Sequence, residues 1–566
     1  MAAIQGDHSV KALKQHWPLA AALAALYAVV VRWLILSLDR QGGRLVYALD
    51  DPYIHLAIAK NLAREGVWGI TRDGFSAASS SPLWTLLLAA IDTLVGVNAI
   101  APLLLNLLFA SLTLAVIYML FRRYSLHPLF SLGALLAITF LTPLPTLIFG
   151  GQEHVLHLLL TVLFAALAVQ VMASGRAAPR PSGRTRGVAV CLLAAALPLV
   201  RYEALFLIFV ASILWLLRGQ WPWALLCSEL AVLPVAIYGG LAKASGGFWL
   251  PNPVILKSSL ATALTLDGAI DHTLRMFSLQ SLKGFYWWLF GSGALHVTVL
   301  ILAALVLVTV RAARRSPAAD ERALMLVLFA GTAFLHLRLA SVGWFYRYEA
   351  YLMGWGLTSL AIGMGDLLPR RLEIRPTNPA LARVAAGGGV LIVLAYPAVE
   401  RGWNAYQQTL PAMWSIYAQQ VQMGLFIHTY YDGEGVALND VGAASYLSSA
   451  HILDLWGLGS NEVARTRHNS AYNTAAIDDL VYERGVKIAI LYTYWFEPFG
   501  GLPDWWVKIG EWTVPNAVAV AYPTVTFYAT DLTEINPLAV HLYEFSPRLP
   551  PGVIQRLYVE PIFSRR

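Results

Sequence analysis

The run Leu49-Asp50-Asp51-Pro52-Tyr53-Ile54-His55 follows closely on the first apolar stretch of the chain, which extends from about Trp17 to Leu38 behind Lys11 and Lys14. A carboxylate near the edge of a hydrocarbon layer is costly and is kept mainly where it has a task or a partner. Two adjacent carboxylates repel, so one can keep a raised pKa while the other stays ionised, which suits a base that takes a proton from a hydroxyl. The plainer alternative is a helix cap, because Asp followed by Pro starts helices well. No small-residue cleavage site follows the apolar stretch, so it reads as a retained anchor whose amino end is inside.

Working outward, 58% of the 566 residues are hydrophobic and 13% charged, against roughly 45–50% and 25% in a soluble domain. Lipid is therefore the expected solvent. The apolar runs end near Val399, which predicts a membrane domain over 1–399 and an α/β domain over 400–566. The net charge of +7 sits largely in short clusters beside apolar runs, namely Arg122-Arg123, Arg311 to Arg315 and Arg370-Arg371. These are topology signals, and no nucleic-acid partner is expected. Cys191 and Cys227 both lie in apolar runs without ligand spacing, which argues against a disulfide framework or a cysteine metal site.

A span needs about 20 apolar residues, and the runs make roughly eleven crossings of a polytopic α-helical protein. They cover 17–38, 98–121, 128–148, 154–173, 187–200, 203–217, 221–241, 294–312, 322–341, 350–366 and 383–399. Pro82 to Val95 is apolar but short, and reads as an interfacial helix. With the basic clusters inside, the outer segments are 39–97, 149–153, the turn at Arg201, 242–293, 342–349 and everything after about 400. The two spans flanking Arg201 are shorter than a full crossing and are expected to lean on neighbours or to meet in a water-accessible dip. In the tail, Val436 to Leu438, Lys487 to Tyr492 and Val518 to Tyr522 read as strands, Thr474 to Arg484 as a helix, and Gly500-Gly501 and Pro550-Pro551 as turns.

Arg201, Lys257 and Arg347 all fall in outer segments, on the side of the two aspartates and near spans. Arg holds a phosphate oxygen pair in a fork and Lys acts as a point charge. The structural alternative pairs the arginines with nearby acids, for which Glu203 and Glu349 are the neighbours in sequence. Glu153 with His154 and His157 suggests a metal, but no second cluster completes a shell. Asn439-Asp440-Val441-Gly442 reads as a strand-end turn with too little glycine for a phosphate loop.

In this order the pieces resemble the GT-C superfamily of polyprenyl-phosphate-sugar glycosyltransferases, and within it the branch of the arabinofuranosyltransferases. The likeness runs through Asp50-Asp51-Pro52-Tyr53-Ile54, Lys60-Asn61-Leu62 and Ser79-Ser80-Ser81-Pro82-Leu83-Trp84-Thr85. It continues through Gly151-Gln152-Glu153, Arg201-Tyr202-Glu203-Ala204 and Leu250-Pro251-Asn252-Pro253-Val254-Ile255-Leu256-Lys257. The strings Asn439-Asp440-Val441-Gly442-Ala443 and Asp454-Leu455-Trp456-Gly457-Leu458 extend it into the tail. Pro52, and the absence of glycine and proline around Arg201 and Glu203, depart from the family pattern.

The resemblance implies an inverting transferase with a first-loop aspartate as base, carried first to Asp50 and second to Asp51. Lys257, Arg201 and Arg347 become donor-phosphate contacts. Glu153, Glu203, Asn252, Trp84, Tyr53 and His55 become residues of the substrate site. The implied partners are a polyprenyl-phosphate sugar, a glycan, lipid or protein acceptor, and membrane lipid, with the protein acting as a monomer in the bacterial cytoplasmic membrane. No cofactor is required, although some relatives bind a divalent cation. A transporter or flippase is the competing class; it predicts charges deep within several spans and pseudo-repeated halves, whereas here charges sit mostly at span ends and no repeat is evident.

Overall fold

A computed structural model describes residues 2–174, 181–257, 283–284, 293–313, 320–365, 367 and 378–563. Each predicted span is helical within those residues. Among the described residues seven helices are long and apolar enough to cross a membrane by length and composition, and Thr185–Val200, Ala204–Leu217 and Ala350–Met364 are shorter apolar helices. Pro82–Val95 has 14 residues, which at 1.5 Å each is about 21 Å, too short for a hydrocarbon core of about 30 Å. The last predicted span belongs to a helix that continues from Asn378 to Ile416, through a π-helical turn at Tyr417–Val421, into Gln422–Tyr430. Most of the predicted loop 242–293, namely 258–282 and 285–292, lies outside the described residues.

Beyond that helix the chain forms a six-stranded sheet in the order β2-β1-β3-β5-β4-β6. The strands are β1 Gly435–Leu438, β2 His451–Asp454, β3 Val486–Leu491, β4 Val507–Thr513, β5 Thr524–Ala529 and β6 Ile554–Leu557. β1 pairs in parallel with β2 and β3, and the remaining pairs are antiparallel. A central strand buried on both faces should read as a continuous apolar run, and β3, Val-Lys-Ile-Ala-Ile-Leu, has only Lys487 partly exposed. The predicted helix is present as Thr474–Glu483, with Asn473 accepting the Ala476 N–H at 3.0 Å.

One strand expectation is corrected. Val518 to Tyr522 is irregular, with Ala519 at φ 63°, and the strand begins only at Thr524. The apolar character of the segment has another cause: Val518, Ala519 and Val520 pack on the helical bundle. The Val518 N–H donates to Ser415 Oγ at 3.0 Å, and Gln419 Nε2 donates to the carbonyls of Tyr522 and Pro523.

The Asp51–Glu65 helix joins the two parts. Pro52 opens it and Gly66, at φ 69°, ends it, as expected of N-terminal Pro and C-terminal Gly. Tyr53, Leu56 and Ala59 belong to the core of the bundle, while Ile54 and Ile58 belong to the core of the sheet domain. Its two stripes thus serve two cores, which is why nine of its 15 residues are buried. It also grips the short helix Gly442–Leu447 at both ends. Asp50 accepts the Gly442 and Ala443 N–H groups at 2.6 and 2.8 Å, and Lys60 Nζ donates to the carbonyls of Ser445, Tyr446 and Ser448 at 2.8, 2.8 and 3.2 Å. A negative group at the amino end and a positive one at the carboxyl end is the arrangement the helix dipole favours.

Replacing Lys60 with Met keeps the apolar stem and removes the charge from three carbonyls. The expected loss is about 1.5–3 kcal/mol, read as an earlier thermal unfolding of the sheet domain in detergent-solubilised protein.

Candidate active site

Two helix interruptions and two loops enclose a cavity of about 550 Å³ lined by Asp51, His55, Gln152, Arg201, Glu203, Arg338, Arg347 and Tyr348, with an apolar side that includes Leu205, Phe206, Leu250, Val254, Leu339 and Leu458. The first interruption is Arg201-Tyr202-Glu203, between the Pro181–Val200 and Ala204–Leu217 helices. The two short apolar helices that the sequence places around Arg201 thus end at the cavity. The second is Gly151-Gln152-Glu153, where Gly151 has φ 67° and a Cβ would come within 2.6 Å of Tyr47 and 3.0 Å of the Pro52 ring. Glycine is needed there because only it adopts this conformation without strain while leaving room for the Asp51-Pro52 turn.

The two aspartates separate. Asp50 is buried, makes no side-chain cap bond to its own helix, and commits both oxygens to the Gly442 and Ala443 N–H groups. It is not among the cavity-lining residues. Burial, then the neighbouring Asp440 carboxyl, pushes its pKa well above the usual carboxylate range. Asp51 faces the cavity, with 27% of its side chain exposed, and is ion-paired to Arg347, which in turn donates to Gln152. The order of preference drawn from sequence, Asp50 before Asp51, therefore does not match the geometry of the cavity. The helix-cap alternative fails as well, since the side chain of Asp50 turns to a partner far along the chain.

Arg201 reaches Glu203 at 2.5 Å and Glu153 at 3.1 Å. Glu153 is fully buried, and its Oε2 lies 3.8 Å from His55 Nε2. His55 also bonds Thr85 Oγ1 at 2.8 Å through Nδ1, and burial pushes its pKa down, leaving the ring neutral near pH 7. Glu203 is thus the partner of Arg201, as its position in sequence suggests. Glu349 instead pairs with Arg401 at 2.7 Å, leaving Arg347 to Asp51.

Arg347 is delivered by an unusual turn. Gly343, Trp344, Phe345 and Tyr346 all have positive φ, at 86°, 34°, 55° and 63°. Left-handed backbone costs a side-chain-bearing residue roughly 1–2 kcal/mol, so the turn needs external support. Arg401 Nη2 donates to the Tyr346 carbonyl at 2.6 Å, and Glu349 Oε2 accepts the Gly343 N–H at 2.8 Å.

The remaining sequence candidates brace the site without lining it. Tyr53 OH accepts the Tyr47 N–H at 3.1 Å. Trp84 is fully buried beside Phe109. Asn252 Nδ2 donates to Asn461 Oδ1 at 3.0 Å and to the Leu458 carbonyl at 3.4 Å, fastening the sheet-domain loop that brings Leu458 to the cavity. Asp454 shapes that same loop by accepting the N–H groups of Trp456, Gly457 and Gly459, and burial raises its pKa to about 6. The Lys257 side chain lies outside the described residues, although its backbone ends the Asn252–Lys257 helix. The His157 ring lies against that of Tyr351, tilted by 36° with centroids 4.3 Å apart, and among the described residues no three His, Cys, Asp or Glu side chains gather as metal ligands would. Arg338 and Tyr348 escaped the sequence reading: Arg338 stands in the last turn of a span, where a cation reads as an interfacial anchor.

Replacing Gly151 with Ala should displace the Asp51-Pro52 turn. We expect a destabilisation of about 1–3 kcal/mol from overpacking and strain, measured by thermal unfolding, together with a weakened Asp51–Arg347 pair visible as altered cavity geometry in a structure of the variant.

Residues 411–528 match a family model described as a domain of unknown function, DUF8728. No curated protein matches the chain in sequence. Among solved structures, the apo oligosaccharyltransferase of Archaeoglobus fulgidus is 12% identical over 92% of this chain and 75% of its own, with a TM-score of 0.51. The oligosaccharyltransferase AglB of the same archaeon, in complex with an inhibitory peptide and a dolichol-phosphate, is 11% identical over 92% and 75%, with a TM-score of 0.50. ArnT from Cupriavidus metallidurans bound to undecaprenyl phosphate is 14% identical over 90% and 98%, with a TM-score of 0.47. At such identities the likeness to the oligosaccharyltransferase is one of fold: the chain is a polytopic membrane protein of GT-C fold with a carboxyl-terminal α/β domain.

Proposed function

We propose that the chain is an inverting glycosyltransferase that moves a sugar from a polyprenyl-phosphate donor to an envelope glycan, lipid or protein on the extracytoplasmic face of the bacterial cytoplasmic membrane. The observation that carries this reading is the cavity itself, whose lining combines a partly exposed carboxylate, Asp51, with Arg201, Arg338 and Arg347 and with several apolar side chains. Arg201, Arg338 and Arg347 all stand in that lining, and the arginine fork suits a bound phosphate. The apolar side suits the first isoprene units of a lipid. The dolichol-phosphate in the complex of the archaeal oligosaccharyltransferase supports the same donor class.

Asp51 takes the proton of the acceptor hydroxyl as its oxygen attacks the anomeric carbon. The bond to the phosphate oxygen breaks, and the polyprenyl phosphate departs toward the arginines while its tail stays in the bilayer. Arg347 holds the carboxylate of Asp51 in line, and positioning of this kind converts binding into rate. A pentose such as arabinofuranose is the sugar to which the motif strings lead. The amino end is then cytoplasmic, the α/β domain extracytoplasmic, and the acting unit a monomer.

The deciding measurement is transfer from a polyprenyl-phosphate sugar by purified protein in lipid nanodiscs. Asp51→Asn and Asp51→Ala should lose about 10²–10⁴-fold in rate, the usual contribution of a general base, with donor binding retained. Full transfer by both variants sinks the assignment. Arg338→Gln should weaken binding of the polyprenyl phosphate about tenfold, the loss of one charge-assisted contact, and unaltered affinity would remove Arg338 from the phosphate site.

A further inference from the structure

The first span carries a single cation in its interior, Arg32. It stands eight residues before Arg40, where the helix Ala2–Arg40 ends, so its Cα lies about 12 Å short of that end. A charge at such a depth is costly and is kept mainly where it has a partner. Among the described residues the partner of Arg32 is a neutral one, for Arg32 Nη1 donates to Tyr406 OH at 2.7 Å. The acids nearest in sequence, Asp39 and Glu400, are seven residues from Arg32 and six from Tyr406, and neither makes an ion pair with Arg32.

Arg32 belongs to a groove of about 570 Å³ whose other lining residues are Ala24, Tyr27, Ala28, Val31, Ile35 and Leu36. These positions recur at three- and four-residue steps and so form one stripe of the helix. Ala24 and Ala28 are short beside Tyr27, Val31 and Ile35, which makes the stripe concave, and it is exposed along most of its length. From Ala24 to Leu36 the lining runs about 18 Å, a little over half of a hydrocarbon core of about 30 Å. It therefore has the depth of one leaflet, at the end of the span that leads to Asp50.

Two side-chain bonds hold this helix to its neighbours. Tyr27 OH and Ser111 Oγ, 2.8 Å apart, tie it to Ala101–Arg123, and the Arg32–Tyr406 bond ties it to Asn378–Ile416. Tyr406 is itself braced: Trp33 packs on it with ring centroids 5.1 Å apart, and the exposed Trp403 stacks on it at 6.1 Å with planes 13° apart. Its hydroxyl is thus a fixed anchor for the guanidinium, with Tyr and Trp side by side as they are where a bilayer meets water.

We propose that this groove binds one anionic phospholipid, its phosphate on Arg32 and an acyl chain along Val31, Ala28 and Ala24. A guanidinium carries several N–H donors, and the bond to Tyr406 leaves others for phosphate oxygens. A net negative headgroup is favoured over a zwitterionic one because no acid lines the groove to receive an ammonium. Toward the end of the same helix and just beyond it, Arg40 and Arg44 outnumber the acid Asp39, which adds to the attraction. The groove and the cavity share no lining residue, so the lipid site stands whether or not the chain transfers sugar.

Native mass spectrometry of full-length protein released from nanodiscs of equal phosphatidylglycerol and phosphatidylcholine tests this. The native protein should retain phosphatidylglycerol in preference to phosphatidylcholine. Arg32→Gln, which keeps a donor for Tyr406, should weaken that retention about tenfold, the loss of one charge-assisted contact. Ala28→Phe fills the groove and leaves the charge, so it too should lower retention, which separates a seated lipid from a charge that merely attracts anions. Equal retention of both lipids by the native protein, or unchanged phosphatidylglycerol in either variant, overturns the proposal. Displacement of that phosphatidylglycerol by an equimolar amount of undecaprenyl phosphate would make the groove a polyprenyl site and overturns it as well.

Discussion

Both oxygens of the Asp50 carboxyl are used by backbone amides that lie 392 and 393 residues away, and much of the molecule depends on that engagement. An aspartate ahead of a proline ordinarily caps its own helix, a contribution of about 1 kcal/mol. Here Pro52 and Gly66 set the ends of the helix without it. The carboxyl is therefore available to join the first loop to the α/β domain. Asp51, held on the next residue and tied to Arg347, is left at the cavity wall. The doubled aspartate divides the work between a buried fastener and an accessible acid.

The cavity shows how a low-dielectric site keeps many charges. Glu153 is fully buried but lies 3.1 Å from Arg201, which also holds Glu203. Glu349 is buried against Arg401, which in turn steadies the left-handed turn ahead of Arg347. Breaking one such pair leaves an uncompensated buried charge, which costs far more than the pair contributes. The arrangement resists rearrangement for that reason.

The spans were legible because apolar runs and basic clusters act over 20 residues at a time. The break at Arg201 was legible because two runs were too short to cross. The difference between Asp50 and Asp51 was not, since it is decided by Gly442 and Ala443, whose position no local pattern reveals. Asp440 was read correctly as part of a strand-end turn. Val518 to Tyr522 was read as a strand because burial against a helical bundle selects the same side chains as burial in a sheet. The pairing of Arg347 with Asp51 and not with Glu349 shows the limit of sequence proximity: a left-handed turn swings two near neighbours toward different partners.

The grip of the Asp51–Glu65 helix on Gly442–Leu447 has a consequence for biosynthesis. At about 5–20 residues per second, roughly 20–80 s of synthesis separate the emergence of Asp50 from that of the amides it accepts. Throughout that interval the first loop carries Asp50 without Gly442 or Ala443, and for about the first three quarters of it Asp51 is without Arg347. The cavity therefore closes only after nearly the whole chain has been made, and a truncated product, however well inserted, is delivered to the membrane with its acidic pair unassembled.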